Sequence, residues 1–207
     1  MEPADATDLD LLDAWRGGDA RAGNLLFRRH FAALSRFFRN KVDVGVEDLI
    51  QATFLACVEG RDRFREASSF RTYLFAIARN LLYAYYRRQH RAVDFVQTSV
   101  VDLGASPSGP LGRREEAAAL LRALRAIPLE FQVVLELTYW EDMKAPEVAE
   151  VLAVPANTVR GRLSRARAAL RQALAAAALS PELLRSTLAD LDAWAATLRA
   201  ELASPEP

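Results

Sequence analysis

The sequence predicts an all-α protein: two helical domains joined by a flexible linker, the second a helix-turn-helix domain, followed by a C-terminal helical extension. Three observations predict it. Alanine, leucine and arginine crowd the 207 residues while Val and Ile are sparse outside short stretches, which favours helices. Apolar residues recur at three- and four-residue spacings behind cap residues, with no convincing strand alternation. Residues 92–112 read AVDFVQTSVVDLGASPSGPLG, and the Gly/Ser/Pro-rich second half of that stretch separates two helical runs. The expected divisions are therefore 1–91, a linker 92–112, 113–174 and an extension 175–207.

The elements follow in order. Leu9, Leu12 and Trp15 mark a first helix. Asp19 has the position of an N-cap for a helix carrying Leu25, Leu26, Phe31, Leu34 and Phe38. Val46 to Val58 forms the next helix, and Ser69 to about Arg91 a long one. Beyond the linker, Arg113 to Ala126 is helical, Pro128 opens a helix to about Trp140, Lys144 to Leu152 is short, and Asn157 to about Leu179 is long.

Composition excludes several classes. With 51% hydrophobic and 26% charged residues the chain can bury a core and is not a disordered one. Cys57 is the only cysteine, so no internal disulfide forms, and His30 and His90 are too few and too far apart for a zinc site. No apolar run reaches the ~18 residues of a membrane span. The start, Met1 to Asp10, is acidic and unlike a secretion signal, so the expectation is a cytoplasmic protein without membrane insertion. No phosphate-binding loop, dinucleotide fingerprint, metal cluster or nucleophile–base pair is legible, so neither cofactor nor catalysis is expected. Cys57 reads as a small core residue and the histidines as surface or packing residues.

Net charge is +0, but it is unevenly spread. Arg71, Arg79, Arg87, Arg88 and Arg91 lie in one stretch without an acid, and Arg160, Arg162, Arg165, Arg167 and Arg171 lie in another. Two such stretches suggest either two anion-binding surfaces or two solvated helix faces. In the second, a short helix from Pro146 to Leu152, a break at Ala153-Val154-Pro155 and a basic helix have helix-turn-helix spacing. At 100° per residue Val159, Leu163, Ala166 and Leu170 form an inward stripe, and Asn157, Arg160, Gly161, Ser164, Arg165 and Ala168 lie opposite. Small residues between arginines and an amide suit entry into a major groove, with flanking Arg162 and Arg167 suited to phosphates.

The long helix of the first half has two faces: Phe70, Leu74, Ile77 and Leu81 on one, Thr72, Phe75, Arg79, Leu82, Tyr83, Tyr86 and His90 on the other. Aromatics interleaved with arginine suit unpaired bases, although Phe75 and Leu82 are expected to pack on neighbours. On the 46–58 helix, Leu55 stands on a polar side with Asp48 and Gln51, which marks a candidate protein-binding patch.

Together these pieces resemble the extracytoplasmic-function (ECF) sigma factors of bacterial RNA polymerase over roughly residues 8–174. The resemblance rests on the order and spacing of Glu47–Leu55, Phe70–Leu81, Ile127-Pro128 and Thr158–Leu170. It implies that Asp48, Gln51 and Leu55 dock on the clamp helices of core RNA polymerase. It implies that Arg71, Arg79, Asn80, Tyr83, Arg87 and Arg88 hold the single-stranded −10 element, with residues 62–69 as a pocket for a flipped base. It implies that Asn157, Arg160, Arg162, Ser164, Arg165 and Arg167 read the duplex −35 element. The 21-residue linker spans at most ~70 Å, enough to bridge two docking sites on a large partner.

The chain departs from the pattern at Tyr73, often a tryptophan; at Ala84, often an acid; at Ala145-Pro146; and at Asn157, where glycine is usual and where asparagine can also take a left-handed backbone. The extension carries Leu184, Leu188, Leu191, Ala195, Leu198 and Leu202 at alternating spacings of 4 and 3. It reads either as an amphipathic helix packed on its own domain or as a regulatory clamp, self-regulation standing beside the anti-sigma partner that the resemblance implies. A helix-turn-helix regulator that never binds polymerase is the rival reading; it leaves the first-half motifs unexplained.

Overall fold

A computed structural model of the chain describes residues 6–64, 68–90, 93–102 and 115–176, without the side chains of residues 63 and 115–119. Its first half contains α1 (Asp8–Arg16), α2 (Ala20–Arg39), α3 (Val46–Gly60), a 3₁₀ turn (Arg61–Arg63) and α4 (Phe70–Gln89). Its second contains α5 (Glu115–Ala126), α6 (Leu129–Leu135), α7 (Ala145–Leu152) and α8 (Ala156–Ala176). Among the described residues the only β feature is an isolated bridge between Ser99 and Pro128, so the all-α expectation holds.

Three of the helices begin where side chains satisfy their free N–H groups. Thr7 and Asp10 form a capping box on α1, Asp19 accepts from the N–H groups of Arg21 and Ala22, and Ser69 accepts from that of Thr72. Pro146 sits in the first turn of α7, where its missing N–H costs nothing, which accommodates the unusual Ala145-Pro146 start. At the end of α7 the left-handed residue is Ala153 (φ 54°), whose N–H and that of Val154 return to Glu150 and Ala149. The helix-turn-helix break is therefore set there, and Asn157 lies within α8 rather than supplying a left-handed turn.

The region expected as one helix from Pro128 to Trp140 is α6 followed by a π turn over Glu136–Trp140. The wider turn changes which side chains face inward, and it buries Glu136, Leu137, Tyr139 and Trp140 together. The first half of the linker is ordered on the fold: residues 94–97 turn, and Phe95 and Val100 are buried. The apolar letters of that half supply the burial. The Gly/Ser/Pro half, the 65–67 part of the proposed base pocket, and residues 177–207, which hold the leucine pattern of the extension, lie outside the described residues. No helix among the described residues is long and apolar enough to cross a membrane.

The buried apolar residues form one cluster that runs through both halves, with a centre in each: Phe38, Leu34, Leu74 and Phe75 fill the first, and Leu124, Val133, Val148 and Leu170 the second. Burying such a side chain contributes roughly 1.5–3 kcal/mol. Cys57 belongs to the first centre, and burial pushes its thiol up to about 12, as expected of a packing residue. His30 is also buried, its Nε2 2.6 Å from Asp8. The halves meet where α4 lies against α7 and where the end of α2 meets α5, α6 and the π turn.

Candidate nucleic-acid interface

Three surfaces carry the candidate residues. On α3 the apolar side holds Leu49, Ile50, Thr53 and Cys57 in the core, and helical geometry then turns Asp48, Gln51 and Leu55 outward together. Leu55 is 56% exposed, a large apolar side chain between an acid and an amide. Nothing among the described residues of the second half covers them.

On α8 the inward stripe is as the periodicity predicts: Val159, Ala166 and Leu170 are buried and Leu163 half-buried. Asn157, Arg160, Gly161, Ser164, Arg165 and Ala168 are all exposed. The arginines divide in two. Arg160 and Arg165 are exposed, the Nε–H of Arg165 donating back to the Gly161 carbonyl at 3.3 Å, whereas Arg162 is paired with the Glu130 carboxylate of α6 and the Nε–H of Arg167 donates to the Tyr139 hydroxyl at 2.5 Å. These partners fix two cations at the edges of the helix and leave its centre small. An ideal Cβ placed on Gly161 meets nothing within 4 Å.

On α4 the arrangement differs from a simple exposed face. Asn80, Arg87 and Arg88 are exposed. Arg71 is held by Glu141 at 2.5 Å, and Arg79 donates to the Leu152 carbonyl at 3.2 Å and to the Asn80 side chain at 3.0 Å. Tyr83 is buried beneath the linker: its ring stacks on Phe95 with centroids 4.1 Å apart and planes 24° apart. The Arg79 guanidinium lies 4.4 Å from the Tyr83 ring centre, and Arg87 lies 5.4 Å from that of Phe95. Burial raises the Tyr83 phenol, the Arg79 charge opposing it in part. Tyr86, on the same face, is buried with its hydroxyl donating to the Lys41 carbonyl, so it serves the fold.

Sequence reasoning missed the groups that meet α4 from the other half: Phe95, Glu141 and the Leu152 carbonyl. The apolar run around Phe95 was a usable signal. Glu141 and Glu136 carried none, since nothing in a sequence marks an acid that will be buried against a distant arginine.

The comparisons follow the same division. The sigma-70 region 2 family matches residues 26–92 and the sigma-70 region 4 family residues 117–170. The RNA polymerase sigma factor HrpL of Pseudomonas syringae pv. syringae is 35% identical over 133 residues, which cover 61% of this chain and 72% of the relative. The ECF RNA polymerase sigma-E factor of Escherichia coli K12 is 28% identical over 176 residues, 79% of this chain and 92% of its own. Among solved structures, CnrH in complex with the cytosolic domain of CnrY superposes with a TM-score of 0.62 at 29% identity, covering 82% of this chain and 97% of that one. The sigma factor RpoE of Bartonella quintana, solved with the anti-sigma factor NepR, has the same fold, with a TM-score of 0.55 at 24% identity over 72% of this chain and 92% of its own. A region 2 unit followed by a region 4 helix-turn-helix, with relatives matched across both, leaves the stand-alone regulator disfavoured: the chain belongs to the ECF sigma factors of RNA polymerase, proteins that initiate transcription.

Proposed function

We propose that this sigma factor docks on core RNA polymerase through Asp48, Gln51 and Leu55, reads the −35 duplex with α8 and holds the opened −10 strand on α4. The observation that carries this is the exposed face of α8, small at its centre and basic at its edges, on the same chain as the uncovered Asp48–Leu55 face. Small residues let the helix axis approach the groove floor; Asn157, Arg160, Ser164 and Arg165 then reach base edges, while Arg162 and Arg167 hold phosphates.

On α4, rings and guanidinium groups stack on unpaired bases and follow the backbone. Capturing splayed bases offsets an unstacking cost of a few kcal/mol, so opening draws on binding energy and needs no catalytic group of the factor. The factor acts in the cytoplasm, where the polymerase is. An anti-sigma protein is a natural controlling partner, given the complexes in which the structural neighbours were solved.

The test is binding of the full chain to bacterial core polymerase beside an Asp48→Arg/Leu55→Arg variant. Tight binding by the parent and its loss in the variant is the expected result. Tight binding by both moves the docking site elsewhere, and no binding by the parent overturns the reading.

A further inference from the structure

We propose that the C-terminal segment 177–207 seats its leucine stripe in an open, basic-rimmed groove between α2 and α3, and so competes with core polymerase for the edge of the docking face. The occupancy of the groove is argued from the groove and the segment; the competition rests on the docking role proposed above for Asp48, Gln51 and Leu55.

The groove is lined by Arg21, Leu25, Phe27, Arg28 and Phe31 of α2 and by Phe54 of α3. Its floor is an aromatic ladder. The Phe27 ring stacks on Phe54 with centroids 4.5 Å apart and meets the Trp15 indole edge-on at 5.1 Å. Phe31 stands at the rim, 51% exposed. It shares a helix side with Phe38, two turns on and fully buried, yet nothing among the described residues covers it. The rim is cationic. Helix α2 carries five arginines and no acid. Arg29 and Arg36 are paired with Asp8 and Glu141, whereas Arg21 and Arg28 are exposed and have no carboxylate partner among the described residues. Seven residues apart, these two lie on one side of α2, ~10 Å from each other along its axis.

An aromatic floor between uncompensated cations suits an apolar stripe edged with acids. Segment 177–207 has that composition: leucines at alternating spacings of 4 and 3 from Leu184 to Leu202, with five acids and two arginines, net −3. At 100° per residue Asp192 and Glu201 fall on the two flanks of the stripe. The reach is sufficient. Helix α8 packs on α5, and α5 meets the end of α2 through the Arg125 bonds to the Arg39 and Asn40 carbonyls. Phe31 lies nine residues back from Asn40, ~14 Å along α2. The seven residues between Ala176 and Leu184 span up to ~24 Å extended, and the stripe itself covers ~28 Å at helical rise.

The groove is continuous with the docking face. Leu55, 56% exposed, follows Phe54 directly, and the exposed Val58 stands one turn beyond Phe54. A segment lying over Phe31 and Phe54 therefore abuts Leu55, and segment and polymerase exclude each other. Tethering makes a modest contact sufficient. A joined segment acts at an effective concentration of ~1 mM, so a groove affinity of only ~0.1 mM keeps about nine chains in ten closed and weakens polymerase docking about tenfold.

The experiment uses the full chain with a benzoylphenylalanine photo-cross-linker in place of Phe31, at the exposed rim. Irradiation should join it, within one chain, to a peptide from 184–202. Arg21→Glu/Arg28→Glu and Leu188→Asp/Leu191→Asp, each with the helical circular dichroism of the parent, should lower the yield about fivefold or more. Cross-links confined to other parts of the chain overturn the proposal. So do links that form only between two chains and grow with concentration, which assign the groove to a second copy. Affinity for core polymerase is then measured for the unlabelled parent and for Leu188→Asp/Leu191→Asp. The variant should bind about tenfold more tightly. Equal affinity overturns the competition, and no binding by either chain overturns the docking role itself, while the cross-link decides the groove independently of polymerase.

Discussion

Gly161 and Gly23 are both interior helical glycines, and the same substitution should have opposite effects at the two. Glycine in a helix interior costs about 1 kcal/mol relative to alanine, because more backbone freedom is lost on folding. At Gly161 the added methyl group meets nothing within 4 Å, so Gly161→Ala should recover up to about 1 kcal/mol of stability. At Gly23 an ideal Cβ falls 2.7–2.9 Å from three atoms of the Trp15 indole. That ring cannot easily retreat: it is 7% exposed, packs edge-on against Phe27 at 5.1 Å and lies under the Arg61 guanidinium at 5.3 Å. Overpacking of this kind costs about 1–3 kcal/mol, which exceeds the propensity gain of about 1 kcal/mol, so Gly23→Ala should be net destabilising. Urea unfolding followed by circular dichroism measures both changes, and amide hydrogen exchange assigns each to its own half. On the proposed reading of the −35 duplex by α8, Gly161→Ala should nevertheless weaken duplex binding, since its methyl group would stand between the helix and the groove floor. A Gly161→Ala that destabilises the chain, or a Gly23→Ala that stabilises it, would refute the packing argument. A stabilised Gly161→Ala with parental duplex binding would refute the close approach.

Asp8 is caught between Arg29 at 2.7 Å and His30 at 2.6 Å; burial raises its carboxyl, but these hydrogen bonds and charges outweigh it and hold it below the ordinary 3.8. A depressed carboxyl lends stability above its unfolded value and loses it as pH falls through the folded one, so Asp8→Asn should cost about 1–2 kcal/mol at pH 7, a cost that shrinks below about pH 4 in acid-unfolding curves. Ala153→Gly should stabilise the helix-turn-helix by about 0.5–1 kcal/mol, read by thermal unfolding, because alanine there holds a left-handed φ of 54°. Cys57 should resist a thiol reagent in the native chain and react on unfolding; fast native labelling would show that α3 does not hold it in the core.

Much of this was legible because it is local. The caps at Asp19 and Ser69 lie within three residues of the N–H groups they satisfy, and the inward stripe of α8 repeats at helical spacing. Leu55 could be placed outside by counting along its own helix. The turn was legible in position but not in mechanism. A single left-handed alanine at 153 does what asparagine at 157 was expected to allow, because it ends α7 three residues before α8 begins at Ala156. The π turn at 136–140 was not legible: it accompanies the pairing of Glu136 with Asn40 and Lys41 near the end of α2, and no local propensity encodes that.

The α4 face shows how periodicity can group side chains on one side of a helix without revealing whether that side is open. Periodicity placed Arg79 and Tyr83 on one side of the helix, and they are on one side. Whether that side meets solvent depends on residues 12 to 73 positions away, Phe95 and Leu152 among them. The same chemistry that would let Tyr83 stack on a base lets it stack on phenylalanine, and an arginine suited to phosphate is equally suited to a carboxylate. A basic, aromatic surface of this composition is therefore prone to internal capture whenever the chain can supply an aromatic ring and an acid at the right separation. Exposure of the α8 arginines alongside capture of the α4 arginines then follows from where Glu141 and Phe95 lie, not from any difference between the two basic stretches themselves.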